Sequence, residues 1–253
     1  MWRNTDRNIK SAVPIVWPRL VLFGDSLSQH ALEEGGWGSR LAEKLVRRCD
    51  VVCRGLSGYN SRFARLVLPR ILPYTNKKEE NENTTVTVLL GSNDSVSPVS
   101  PQQHVPLAEF EENLQGIVSY LASLGIQKKN IVVISPPPLC EPKWVVECKK
   151  CGYNVDRQNA FTGKYAAACM RVAAQAQTSS LDLWTLMQHE LHNWQDYLSD
   201  GLHLSPAGQR FLAEALWTLL EPLLADLPSI LPRWDAVNHE RPEDSLLTWP
   251  QSD

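Results

Sequence analysis

Short apolar runs alternate along this chain with longer stretches whose apolar residues recur every three or four positions. Arg19–Phe23 (RLVLF), Asp50–Cys53, Thr84–Leu90, Asn130–Ser135 and Ser180–Leu183 have the length of buried strands. Helical periodicity runs over Trp37–Arg47, Ser61–Leu72, Leu107–Leu124 and the alanine-rich Asn154–Gln177. The punctuation agrees with this division. Pro73 stops the second helix, Gly125 ends the third, and three consecutive prolines close the fourth strand. Ser205-Pro206 opens a last helix, with serine as N-cap and proline at the first helical position. The polar run Asn76–Asn83 reads as a surface loop. Five strands, each followed by a helical or loop crossover, predict an α/β fold: one parallel sheet with helices on both faces. We expect one domain over residues 17–231 after an N-terminal extension (1–16). A Pro- and charge-rich tail (232–253) is expected to pack on that domain or fray from it.

Composition narrows the function. With 25 Lys+Arg against 28 Asp+Glu, the net charge is −3, and the basic residues are scattered rather than clustered, which argues against a nucleic-acid partner. Apolar runs are broken by charge or proline well short of the ~20 residues a membrane span needs. The polar start, with Asp6 and then Pro14 and Pro18, does not resemble a secretory signal. Six cysteines in 253 residues are too sparse for a disulfide scaffold. The expected location is therefore the cytoplasm, with reduced thiols.

In open α/β sheets, ligands bind beyond the carboxyl ends of the strands. Ser26 lies there, in Gly24-Asp25-Ser26-Leu27-Ser28 after the first strand, where a serine can turn its hydroxyl into the crevice. Alone, Gly-Asp-Ser is better explained as turn chemistry. Asp200 stands three residues before His203, a spacing that lets the carboxylate accept one imidazole N–H and leave the other nitrogen as a base. A surface aspartate beside a core histidine would look the same. Gly58 after the second strand offers an unobstructed N–H, and Asn93 in Gly91-Ser92-Asn93-Asp94 after the third offers a neutral amide donor. Each alone is ordinary turn or capping chemistry; together they place a nucleophile, donors for an oxyanion and an acid–base pair at one rim.

In this order, the four segments resemble the blocks of the GDSL (SGNH) hydrolase family. Gly35-Gly36-Trp37-Gly38, Leu183–Met187 and Tyr197–Pro206 resemble its branch of isoamyl acetate-hydrolysing esterases. The resemblance covers roughly Trp17 to Leu231. It implies a three-layer, flavodoxin-like α/β/α sandwich and a serine esterase without cofactor or metal that acts on small carboxylic esters such as short-chain acetates. Carried over block by block, Ser26, Asp200 and His203 are the catalytic triad, while Ser26, Gly58 and Asn93 form the oxyanion hole. The implied partners are a small ester and water. Relatives include dimers, so a homodimer is among the expected states. A thioesterase or deacetylase would use the same residues. A non-catalytic binding protein on this fold would be signalled by loss of a triad member, and all three are present. The α/β-hydrolase signature Gly-x-Ser-x-Gly is absent, since Ser28 stands where the second glycine would be.

Three further features carry weaker signals. His189-Glu190-Leu191-His192 is one residue short of the zinc-protease spacing and reads as surface helix. Cys140, Cys148 and Cys151 lack an evident fourth ligand and read mostly as inert thiols, with metal binding or redox activity as the alternatives. The segment Ser135–Tyr153 follows the fourth strand as an overhanging loop, and Leu139 and Trp144 on it are expected to shape the substrate pocket.

Overall fold

The computed structural model describes residues 14–73, 81–190 and 192–247. Strands β1 (Arg19–Gly24), β2 (Asp50–Gly55), β3 (Thr84–Leu89), β4 (Ile131–Ile134) and β5 (Ser179–Leu181) form one sheet in the order β2-β1-β3-β4-β5. Every pairing is parallel, with Leu22 opposite Cys53 on one side and Thr87 on the other. This is the flavodoxin-like doubly wound order.

Side chains alternate across a strand, so each strand feeds two cores. Val21, Phe23, Val86, Val88, Ile131 and Val133 face one side. There they pack on α3 (Ser61–Ile71), α4 (Leu107–Ser123) and α6 (Asn159–Ala176). Leu20, Leu22, Leu89, Val132 and Ile134 face the other side, against α2 (Trp37–Lys44), α7 (Leu183–Glu190) and α8 (Pro206–Leu224). The result is the expected three-layer sandwich. Burial of one such aliphatic side chain is worth about 1.5–3 kcal/mol, so the central strands fix the positions of the loops that leave them. The strand order reverses between β1 and β3, which opens a crevice at their carboxyl ends.

The structure corrects several expected boundaries. Ser135–Tyr153 is not simply a loop: it contains α5 (Glu141–Cys151), with Pro142 in its first turn and Gly152 closing it in the left-handed region (φ 72°). The α6 helix begins at Asn159 rather than Asn154, which leaves residues 154–158 extended over the crevice. The fifth strand ends at Leu181, because Asp182 turns the chain by accepting the Thr185 N–H (3.1 Å). Of the polar run at 76–83, residues 76–80 lie outside the described residues, as do 1–13 of the N-terminal extension and 248–253 of the tail. The tail's described part forms a short α9 (Pro242–Leu246). Just before it, the Arg47 guanidinium donates to the Ile230 (3.1 Å), Leu231 (2.5 Å) and Pro232 (2.9 Å) carbonyls. Among the described residues no helix is long and apolar enough to cross a membrane.

Candidate active site

Ser26 starts α1 (Ser26–Gln29), directly after β1. Glycine is required at position 24: a Cβ there would stand 2.2 Å from the Leu89 carbonyl oxygen, so β1 turns only by passing hard against β3. Asp25 caps the turn, its Oδ1 accepting the Leu27 N–H at 2.9 Å, and Trp37 Nε1 donates to the Leu27 carbonyl at 2.9 Å. The backbone beneath Ser26 is thus tied from below, while its hydroxyl lines a cavity of about 550 Å³ shared with Gly58, Asn93, Trp144, Arg157 and His203.

His203 reaches the same cavity from the turn before α8. Its Nε2 lies 3.0 Å from Ser26 Oγ and its Nδ1 lies 2.6 Å from Asp200 Oδ2. Asp200 Oδ1 also accepts the N–H groups of Leu202 and His203, each at 2.8 Å. Partial burial opposes ionisation of Asp200, but the hydrogen bonds from His203, the imidazole charge and the Leu202 N–H outweigh it and bring the carboxyl down to about 2. An ionised Asp200 fixes the proton on Nδ1 and leaves Nε2 to accept from Ser26. Gly201 lets this turn close. Its φ is 98°, and a Cβ would stand 2.5 Å from the Cys140 carbonyl oxygen; in return the Gly201 carbonyl accepts the Cys140 N–H at 2.8 Å.

Across the cavity, Gly58 takes a left-handed φ of 78°. Asn93 Nδ2 donates to the Tyr59 carbonyl (2.9 Å), and its Oδ1 accepts from Gln103 Nε2 (3.3 Å) and Arg157 Nη2 (3.1 Å). Gln103 Nε2 also donates to the Gly58 carbonyl (3.0 Å), while Gln103 Oε1 accepts from Arg157 Nη2 (3.3 Å). Arg157 Nη1 donates to the Ser92 carbonyl, and the guanidinium lies 5.2 Å from the Trp144 ring centroid.

Below the nucleophile lie two fully buried carboxyls. Burial, only partly offset by the Leu27 N–H, pushes Asp25 up to about 6. Burial likewise pushes Asp94 up to about 7, against the Ser61 hydroxyl and the Ser61 N–H (2.8 Å) that its Oδ1 accepts, with the neighbouring Asp25 adding to the rise. The second oxygen of each has no hydrogen-bond partner among the described residues.

The structure therefore brings together Ser26, Gly58, Asn93, Asp200 and His203, and Trp144 with them. Leu139 does not line the cavity. It packs behind it with Trp144, Cys148 and Leu202, a correction that follows from α5 turning Leu139 inward. All six cysteines are free; Cys148 Sγ donates to the Asn154 carbonyl (3.3 Å) and Cys151 to Glu147 (3.2 Å), so the two thiols face different partners. Sequence pattern missed Gln103, Arg157 and His30, whose ring stands edge-on to His203 at 6.0 Å. Long-range contacts single out Gln103 and Arg157, the latter inside the stretch whose periodicity predicts a helix from Asn154, while His30 is half-exposed and pairs locally with Glu33.

The model of the GDSL-like lipase/acylhydrolase family matches residues 22–211 of this chain. An isoamyl acetate-hydrolyzing esterase 1 homolog of Rattus norvegicus is 48% identical over 239 residues, covering 94% of this chain and 95% of that protein. The Homo sapiens homolog is 46% identical, with 92% and 93% covered. An Arabidopsis thaliana GDSL esterase/lipase is 40% identical, with 84% and 92% covered. Among solved structures, a lipase/acylhydrolase from Enterococcus faecalis superposes with a TM-score of 0.63 at 18% identity, covering 81% of this chain and 96% of its own. An acetyl xylan esterase gives 0.61 at 19% identity, with 79% and 98% covered. At these identities the two structures show the shared fold.

Proposed function

The chain belongs to the GDSL-like lipase/acylhydrolase family, and we propose that within it this carboxylic ester hydrolase works through a Ser26–His203–Asp200 triad and an acyl-enzyme. The observation that carries the reading is the continuous relay from Ser26 Oγ to His203 Nε2 at 3.0 Å and from Nδ1 to Asp200 at 2.6 Å.

His203 Nε2 takes the Ser26 proton as Oγ bonds to the ester carbonyl carbon. The carbonyl oxygen becomes an oxyanion, held by the N–H groups of Ser26 and Gly58 and by the Asn93 amide. When the tetrahedral species collapses, the C–O bond to the alcohol breaks and His203 returns the proton to the departing oxygen. Water then attacks the acyl-enzyme by the same path: His203 takes one proton from it and gives that proton to Ser26 Oγ, releasing the acid. Asp200 stays ionised throughout and steadies the imidazolium.

The names of the curated relatives point to short-chain acetates such as isoamyl acetate as substrates. One feature of this cavity favours a second reading. Its lining includes Ser100, Gln102, Gln103, Asn154 and Asp156, polar groups that suit an acetyl ester of a hydroxylated alcohol. The deciding experiment is hydrolysis of p-nitrophenyl esters from acetate to octanoate by wild type and Ser26→Ala in EDTA, with isoamyl acetate and a peracetylated sugar in competition. Turnover of the short esters, abolished by Ser26→Ala and indifferent to EDTA, is the expected result. Turnover surviving Ser26→Ala overturns the triad, and competition by the sugar alone moves the substrate to acetylated polyols.

A further inference from the structure

Arg157 is buried to 8% exposure, yet none of its hydrogen bonds goes to a carboxylate: its acceptors are the Ser92 carbonyl, Asn93 Oδ1 and Gln103 Oε1. Among the described residues no acid forms an ion pair with it; Asp156, its neighbour in sequence, is engaged by Ser100 Oγ at 2.5 Å. A buried guanidinium without a paired carboxylate is costly: burial works against its charge, and Asp156, Asp25 and Asp200 support it only through space, none of them in an ion pair with it. With no carboxylate bonded to it, the cation is left to serve a further negative charge that arises beside it during the reaction.

The geometry points to that charge being the oxyanion of the transition state: Arg157 is a positioning residue that charges the oxyanion hole through Asn93. This rests on the esterase reading above. Two contacts make the case. First, Arg157 Nη2 and Gln103 Nε2 both donate to Asn93 Oδ1, so a flipped amide would set N–H against N–H; the Asn93 amide is locked in one orientation, with one Nδ2 N–H on the Tyr59 carbonyl and the other left for an oxyanion. Second, a cation on the carbonyl end of an amide withdraws electron density from its N–H, strengthening that donor toward an anion. Gln103 carries the same restraint to Gly58 by holding its carbonyl, so one guanidinium braces two of the three proposed donors. Trp144, stacked 5.2 Å from the guanidinium, shields it from water; this is the work we assign to that tryptophan in place of simple pocket shaping.

The test compares wild type with Arg157→Met, Arg157→Lys, Asn93→Ala and the double variant Asn93→Ala/Arg157→Met on p-nitrophenyl acetate. It adds inhibition by a trifluoromethyl ketone, whose adduct with a serine carries the oxyanion. Arg157→Met is expected to lower kcat about 10–100-fold with KM within about twofold, since the oxyanion exists only in the transition state. Its ketone affinity should fall by a similar factor, and Arg157→Lys should recover part of both. In the Asn93→Ala background, Arg157→Met should add less than about threefold, because its effect passes through Asn93. Ketone binding and thermal unfolding of the same samples separate loss of the hole from loss of the fold. A fully additive double variant, an unchanged kcat or a change confined to KM overturns the proposal; the last would make Arg157 a binder of an anionic substrate group. A wild type that neither turns over the ester nor binds the ketone overturns the esterase reading, and this proposal with it.

Discussion

Two regions around Ser26 hold aspartates and treat them in opposite ways. In the turn before α8, Asp200 is half-buried, receives three N–H hydrogen bonds and is held down at about 2. In the pit just past β1 and β3, Asp25 engages one backbone N–H and Asp94 the N–H and hydroxyl of Ser61; each keeps one oxygen without a partner among the described residues, and they stand at about 6 and about 7. The side chain is the same, and each lies just beyond or between the strand ends. What differs is burial first, complete for Asp25 and Asp94 and partial for Asp200, and then how many donors the fold aims at the carboxyl; together these decide which protonation state folding favours. The turn before α8 is built to keep a charge, the pit to discourage one.

The comparison breaks first on turnover. Asp200→Asn is expected to lower kcat on p-nitrophenyl acetate by about 10³–10⁴-fold, because the amide offers its own N–H to Nδ1 and turns the imidazole to the wrong tautomer. Circular dichroism should show the fold retained. A loss under tenfold would remove Asp200 from the relay.

Stability against pH separates the two regions next. Asp25 and Asp94 have folded values above the ordinary 3.8, so the stability they contribute is complete below 3.8 and lost as pH rises through about 6 and about 7. Each group contributes a slope of up to about 1.4 kcal/mol per pH unit within its window. Asp200 has the opposite sign: its contribution is complete above 3.8 and lost as pH falls toward about 2. Urea unfolding from pH 4 to 8 should therefore show stability declining with pH in wild type and a flatter profile in Asp94→Asn, which keeps the acceptor for the Ser61 N–H. An unchanged profile would mean that the pit carries its charge without cost.

Two smaller effects sharpen the picture of the turn before α8. Gly201→Ala should destabilise by about 1–3 kcal/mol and lower kcat with it, since the side chain meets both a positive φ and the Cys140 carbonyl. Ser205→Ala removes the α8 cap to the Gly208 N–H (3.3 Å) and should cost about 1 kcal/mol in the same urea assay. Equal stability for Gly201→Ala would show that α5 yields, and that the turn is not fixed from that side.

Much of this arrangement is legible in the sequence because it sits where strands end. Ser26, Gly58 and Asn93 follow apolar runs of unmistakable length, and Asp200 and His203 stand just before a serine–proline helix start. Pro142 and Gly152 mark the two ends of α5, but the three prolines before it carry the signal of a loop. Leu139 was misplaced for that reason, because a helix start turns it inward where a loop would have carried it over the crevice. Arg157 left no local trace at all. Its partners lie 54 to 65 positions away, so nothing in its own neighbourhood distinguishes it from a surface arginine.

Ser26 and His203 are 177 positions apart, and the sheet that joins them is parallel throughout. Contacts between distant segments require the loop-closure entropy to be met before they reward it. An emerging or partly folded chain carries Ser26 without its base, and its hydroxyl is then as unreactive as any other serine. The nucleophile is armed only where the chain has closed over these 177 positions, so hydrolytic activity itself reports that closure.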